Sequence, residues 1–252
     1  MEKQKMMHVG IYEGQVGKYV FLPDSPEGSE KIASYLENAE KIAYNREYLT
    51  YTGTLDGVKV SVTSTGIGGP STGIAVEELF QCGADTMIRV GTCGSVFPEV
   101  MTGDLVIPNG AVRMEGVASH YLPPEYPAVP DFDMLKALRA AAAESDIKYH
   151  IAPTISSASY YTEFDPDTRP VAEELKYRWN AYLRGGAAST SMECAPFFII
   201  AGCLGARAAS LLVCQENDRC FGIDQSGFEE KAILTAIEGM KIIIRQDRAS
   251  QE

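Results

Sequence analysis

The chain has 252 residues, 45% of them apolar and 22% charged, and carries a net charge of −12. That is enough apolar material for one substantial core. The acidity argues against nucleic acid and anionic membranes as partners, since both call for a basic face, but a small anionic substrate held by a few local arginines stays open.

In chain order, an apolar strand at 17–23 runs through DSPEG into a helix at 28–38. A strand feeding a helix N-terminus offers an anion seat, because unpaired N–H groups point outward there. Yet this turn carries Asp24 and Glu27 and no lysine or arginine. Strands at 49–54 and 58–65 flank Asp56-Gly57, the turn pair of a tight antiparallel hairpin. TGIGGPS then opens a helix at 71–82, with Ile74, Leu79 and Cys82 on overlapping faces and Gly83 as its stop. Strands follow at 86–91, 104–113, 150–157 and 208–215, and helices at 132–144, 169–181, 192–204 and 228–246. This alternation predicts an α/β fold, one domain over 1–252: a three-layer α/β/α sandwich on a mixed sheet. The polar, proline-punctuated YTEFDPDTRP at 161–170 is the kind of loop that borders a site.

No apolar run approaches the roughly 20 residues of a membrane span. MEKQKMMHVG lacks the apolar stretch of a secretory leader, and a cytoplasmic location is expected. Cysteines 82, 93, 194, 203, 214 and 220 form no CxxC pair, and His8, His120 and His150 lie far apart. They read as buried small hydrophobes and scattered imidazoles rather than as disulfides or a zinc site.

Arg89 lies inside an apolar strand, where an unpaired charge is expensive. It must face an anion, either a protein carboxylate or a bound one, with Thr92 nearby. The three glycines of TGIGG permit close backbone approach and positive φ, but the loop is neither a Walker loop nor GxGxxG.

STGIGGPST followed by VEELFQCGADTMIRVGTCGS resembles the nucleoside phosphorylase family, in its uridine-phosphorylase branch. The similarity extends through NREYLTYTGTLDGVKV to SMECAPFF at 191–198, covering nearly the whole chain. The resemblance implies a partly barrel-like sheet and a homodimer with shared active sites, commonly assembled into a hexamer. It implies phosphate binding by Arg89, Thr92 and, from the neighbouring subunit, Arg46. It places His8 and the Met192-Glu193 pair on ribose, and Cys93, Gly94 and Tyr160 around the base. A carboxylate on the ribose hydroxyls fixes the sugar where positive charge develops. Glu47, Ile67 and Ser71 match a site for a monovalent cation, a structural potassium ion. No cofactor is implied, only phosphate as co-substrate.

Three departures stand out. Asp24 replaces a glycine that leaves room for phosphate, and Gly28 replaces an arginine of the same loop. Phe164 and Pro166 hold the positions of the glutamine and arginine that read uracil, with Arg169 as a substitute if the loop folds back. Ser191 replaces the first acid of a Glu-Met-Glu motif, and LLVCQENDR leaves Glu216 or Asp218 to act as a general acid only after a register shift. Phosphorolysis of a uridine-like nucleoside, with Arg89, Glu193 and Asp24 at the reacting centre, is the leading expectation. The alternatives are a nucleosidase in which Asp24 activates water, and a silent nucleoside-binding protein.

Overall fold

The computed structural model describes residues 4–216 and 227–250. It begins with β1 (Tyr19–Pro23), α1 (Pro26–Ala33), β2 (Glu37–Asn45), β3 (Tyr48–Leu55), β4 (Val58–Thr63) and α2 (Gly69–Gln81). The middle of the chain forms β5 (Thr86–Ser95), β6 (Leu105–Met114), α3 (Phe132–Glu144) and β7 (Tyr149–Ser157). Then come α4 (Tyr160–Phe164), α5 (Ala172–Arg184), β8 (Ser189–Thr190), α6 (Cys194–Leu204), β9 (Arg207–Glu216) and α7 (Phe228–Ala249).

The strands lie in the order β2-β3-β4-β1-β5-β8-β7-β6-β9, and β9 also pairs with β5. That last pairing closes β5, β8, β7, β6 and β9 into a barrel, with β1 to β4 continuing outward as an open sheet. The sheet is mixed: β1 runs parallel to β4 and β5, whereas β2–β3 and β3–β4 are antiparallel. The expected α/β class with a partly barrel-like mixed sheet is therefore borne out.

Alternation along the central strands feeds two cores. Val20 and Leu22 of β1 and Met87 of β5 pack with Leu79, Phe197 and Ile200 on the α2 and α6 side. Tyr19, Phe21 and Ile88 pack with Ile32, Leu138 and Ile244 on the α1, α3 and α7 side. Helices cover both faces, which is why β1 reads as an unbroken apolar run. Asp56 and Gly57 both take positive φ, 51° and 71°, in the β3–β4 turn, as the Asp-Gly pair foretold.

Several elements differ from the sequence reading. The helix expected over 28–38 ends at Ala33, and Glu37–Asn45 forms β2, an edge strand. Its sequence ENAEKIAYN is polar and half-exposed and shows no alternation; charges of this kind protect an edge from pairing with other chains. The two-residue β8 is too short to carry a pattern. Strand β5 runs on to Ser95, so Thr92, Cys93 and Gly94 sit on a strand rather than in a loop. Helix α6 starts at Cys194, leaving Met192 outside it and Glu193 as its N-cap. No helix among the described residues is long and apolar enough to cross a membrane.

Candidate active site

The site is organised around Arg89 on β5, which is 1% exposed. Its side chain curls back over Gly91, where a Cβ would lie 2.7 Å from Nη2, so only glycine leaves it room. Nη2 donates to Glu193 Oε2 at 2.6 Å, and Nη1 lies 2.5 Å from Asp24 Oδ1. The Asp24 contact is a charge pair without hydrogen-bond alignment, and among the described residues Nε and Nη1 have no hydrogen-bond partner. Burial disfavours the charged guanidinium, but the carboxylates of Asp24 and Glu193 outweigh it and keep the group protonated.

Glu193 is held on both oxygens. Oε1 accepts the Gly68 N–H at 2.7 Å, and Oε2 accepts the Ser191 hydroxyl at 3.2 Å besides Arg89. Gly68 has φ 88°, the glycine-favoured conformation that turns its N–H inward. The TGIGG loop therefore serves a protein carboxylate rather than presenting this N–H to a ligand. Burial raises the Glu193 pKa, with the Arg89 charge opposing it.

The acidic turn is satisfied from within. Ser25 caps α1 by accepting the Gly28 N–H at 3.1 Å, and the Asp24 carbonyl accepts the Gly66 N–H at 2.9 Å. Gly28 is close-packed as well, since a Cβ there would lie 2.9 Å from Pro23 Cβ. The close Pro23 contact favours glycine at position 28 of this turn.

A cavity of about 260 Å³ opens beside Arg89. Asp24, Thr92, Met192 and Glu193 line one part of it, and Cys93, Gly94, Tyr160 and Phe164 another. The Tyr160 and Phe164 rings meet at 4.6 Å between centroids, an apolar wall suited to a flat ring. Cys93 offers no nucleophile: hydrogen bonding to Cys214, then burial, pushes its thiol pKa well up.

Residues 18–240 match the family model of the phosphorylase superfamily. The chain belongs to that superfamily. It is 41% identical to the uridine phosphorylase of Treponema pallidum over 244 residues, 95% of each chain. It is 38% identical to the uridine phosphorylase of Thermococcus kodakarensis, covering 99% of this chain and 91% of that one. A guanosine phosphorylase of Halorubrum lacusprofundi is 36% identical over 84% of each chain. The resemblance to nucleoside phosphorylases of the uridine-phosphorylase-like branch is borne out.

Other residues that the family resemblance singled out lie elsewhere or point elsewhere. His8 Nδ1 sits 2.7 Å from Glu78 Oε1, and the same carboxylate accepts the backbone N–H groups of His8 and Val9 at 3.0 and 2.6 Å. Arg46 occupies the β2–β3 turn at φ 56° and is exposed, with no ion pair among the described residues. Glu47 Oε1 accepts the Ser71 hydroxyl at 2.7 Å, which chiefly holds the carboxyl below its usual range. Ile67 is 76% exposed at the cavity mouth. Arg169 does not fold back into the cavity. It is absent from the cavity lining, and its Nη2 lies 3.9 Å from Asp165 Oδ2. Asp218, the side chain of Glu216 and Cys220 lie outside the described residues.

Sequence reading gave no role to several cavity-lining groups, Thr190, Ser191 and Glu163 among them. Ser191, noted only as a lost acid, donates to Glu193. Glu163, one residue before the position assigned to base reading, points a carboxyl group inward from α4 to Thr190. The polar 161–170 loop was a signal for the segment but not for the residue.

Proposed function

We propose that this chain phosphorolyses a uridine-like nucleoside. A phosphate oxygen bonds to C1′ as the glycosidic C–N bond breaks, the bonding pair leaves on the base nitrogen, and a proton completes the free base beside ribose 1-phosphate. The observation that carries the reading is Arg89 paired with Glu193. A buried guanidinium, two of whose nitrogens have no hydrogen-bond partner among the described residues, and a buried carboxylate share one cavity, in a chain 41% identical to a uridine phosphorylase. Phosphate takes Nε and Nη1 of Arg89 and the Thr92 hydroxyl. Glu193 has three protein donors among roughly four acceptor positions, which leaves capacity for one ribose hydroxyl next to Met192.

Asp24 stands where phosphate must approach, so anion binding displaces it from Nη1. The same contact disfavours hydrolysis: an oxygen that neutralises Arg89 is a poor base for water. The named relatives are phosphorylases as well.

The enzyme works as a homodimer with shared sites, assembled further to a hexamer, in the cytoplasm. Exposed Met7, Tyr44 and Ile67 support a shared face near His8 and Arg46. Across it, Arg46 adds charge to a neighbour's phosphate and His8 meets the ribose 5′-hydroxyl. Glu47 and Ser71, with the main-chain oxygen of Ile67, supply hard oxygen ligands fitting a structural potassium ion.

The test is base release from a nucleoside panel with and without phosphate, with ribose 1-phosphate assayed in parallel. Stoichiometric, phosphate-dependent formation of both products is expected. Base release independent of phosphate would overturn the reading.

A further inference from the structure

The cavity contains a polar group that neither the phosphate nor the ribose requires. Glu163, on the short helix α4, lines the cavity together with Tyr160, Phe164 and Glu193. Its Oε2 accepts the Thr190 hydroxyl at 2.8 Å, which fixes the rotamer. Its Oε1 is shielded from solvent and, among the described residues, has no partner at hydrogen-bond geometry. A solvent-shielded carboxyl oxygen without a partner is costly unless a ligand completes it. The two neighbouring positions expected to read the base are Phe164 and Pro166, which offer no side-chain donor or acceptor, and Arg169 is turned to Asp165.

We infer that Glu163 reads the nucleobase, Oε1 accepting the ring N–H of a lactam or imide edge. In uracil this is N3–H, and in a 6-oxopurine it is N1–H. Cytosine and adenine carry a lone pair at the matching ring position, so they set acceptor against acceptor. Tyr160 and Phe164 hold the ring plane by stacking, which every base permits, and Glu163 supplies the discrimination that stacking lacks. The same chemistry covers both base types in the names of the similar phosphorylases. Burial raises the Glu163 pKa, and the nearby Glu193 charge adds to the rise, against the hydroxyls of Thr190 and Ser157. A base N–H donated to Oε1 would offset that penalty, coupling base binding to ionisation of this carboxyl.

This inference rests on the nucleoside-cleaving reading, and two readouts separate their failures. The first is kcat/KM at saturating phosphate for uridine, N3-methyluridine and cytidine. The second is equilibrium binding of free uracil, N3-methyluracil and cytosine, which needs no turnover. Wild-type protein should prefer uridine over both analogues by about 100-fold or more, because a site built to hydrogen-bond a donor rejects ligands lacking it. Glu163→Gln, whose amide both donates and accepts, should narrow the uracil-to-cytosine ratio by about tenfold or more in both readouts. The phosphate KM should stay within about threefold. A merely structural role for Glu163 would lower all bases alike and leave the ratios intact, overturning the inference. So would a wild-type protein that accepts N3-methyluracil as well as uracil, a result independent of whether any variant folds. Absence of phosphate-dependent turnover with base discrimination intact would overturn the phosphorolysis reading and leave Glu163 in its role.

Discussion

Replacing Asp24 with asparagine removes one charge from the phosphate approach while keeping the shape of the side chain. In the wild-type site Asp24 Oδ1 lies 2.5 Å from Arg89 Nη1, so phosphate on the free face of Arg89 sits within about 4 Å of a like charge. At an effective dielectric near 20, such a contact costs about 4 kcal/mol. The Asp24 side chain is 27% exposed and partly screened, which leaves roughly a third of that, ~1.4 kcal/mol, or about tenfold in affinity. Arg89 keeps Glu193 at 2.6 Å, so its position should hold. Asp24→Asn is therefore expected to lower the phosphate KM about tenfold, with the uridine KM little changed. The assay is initial-rate uracil release at saturating uridine across a phosphate series, at constant ionic strength. An unchanged or raised phosphate KM would refute the idea that Asp24 and phosphate compete for Arg89. Loss of turnover accompanied by phosphate-independent base release in the wild type would instead identify Asp24 as a base for water.

Three further outcomes follow from the geometry. Gly28→Arg should not restore a phosphate ligand: its Cβ falls 2.9 Å from Pro23 Cβ, so a loss of ~1–3 kcal/mol in stability with no gain in phosphate affinity is expected by thermal denaturation and kinetics. Arg89→Met strands two carboxylates, Asp24 and the buried Glu193, and should destabilise the fold by roughly 3–5 kcal/mol as well as abolishing turnover; a denaturant midpoint close to wild type would contradict it. Burial favours a raised pKa for Asp247, but hydrogen bonds from Arg207 and Tyr19 and the Arg207 charge leave it below its usual value. Its contribution is thus full above the unfolded pKa near ~3.9 and lost as pH falls through the lower folded value. The stability difference between wild type and Asp247→Asn should be present at pH 7 and shrink below about pH 4; a difference independent of pH would refute the assignment.

Much of the scaffold was legible because its signals are local. The unbroken apolar run of β1 follows from burial on both faces, and Asp56-Gly57 sets a hairpin through backbone conformation alone. β2 was not legible, because an exposed edge strand carries no burial pattern, and the preceding helix seemed to run into it. Arg89 could be recognised as needing an anion from its apolar neighbours. Which anion could not, because Glu193 lies 104 positions away along the chain.

The sequence by itself determined the central strands, the helices that cover them, and the presence of one buried cation requiring a counter-charge. These follow from periodicity and from the cost of burying charge, both properties of short windows. Only the tertiary structure decided that Asp24 turns onto Arg89 rather than away from it. It also decided that Gly68 gives its N–H to Glu193 and that Glu163 lines the cavity beside Thr190. Each of those depends on segments far apart in the chain meeting at the ends of β1 and β5, where closure of the barrel brings β8 and α4 over the same cavity. In DSPEG, composition announced an acidic turn, and packing set its Asp24 against Arg89.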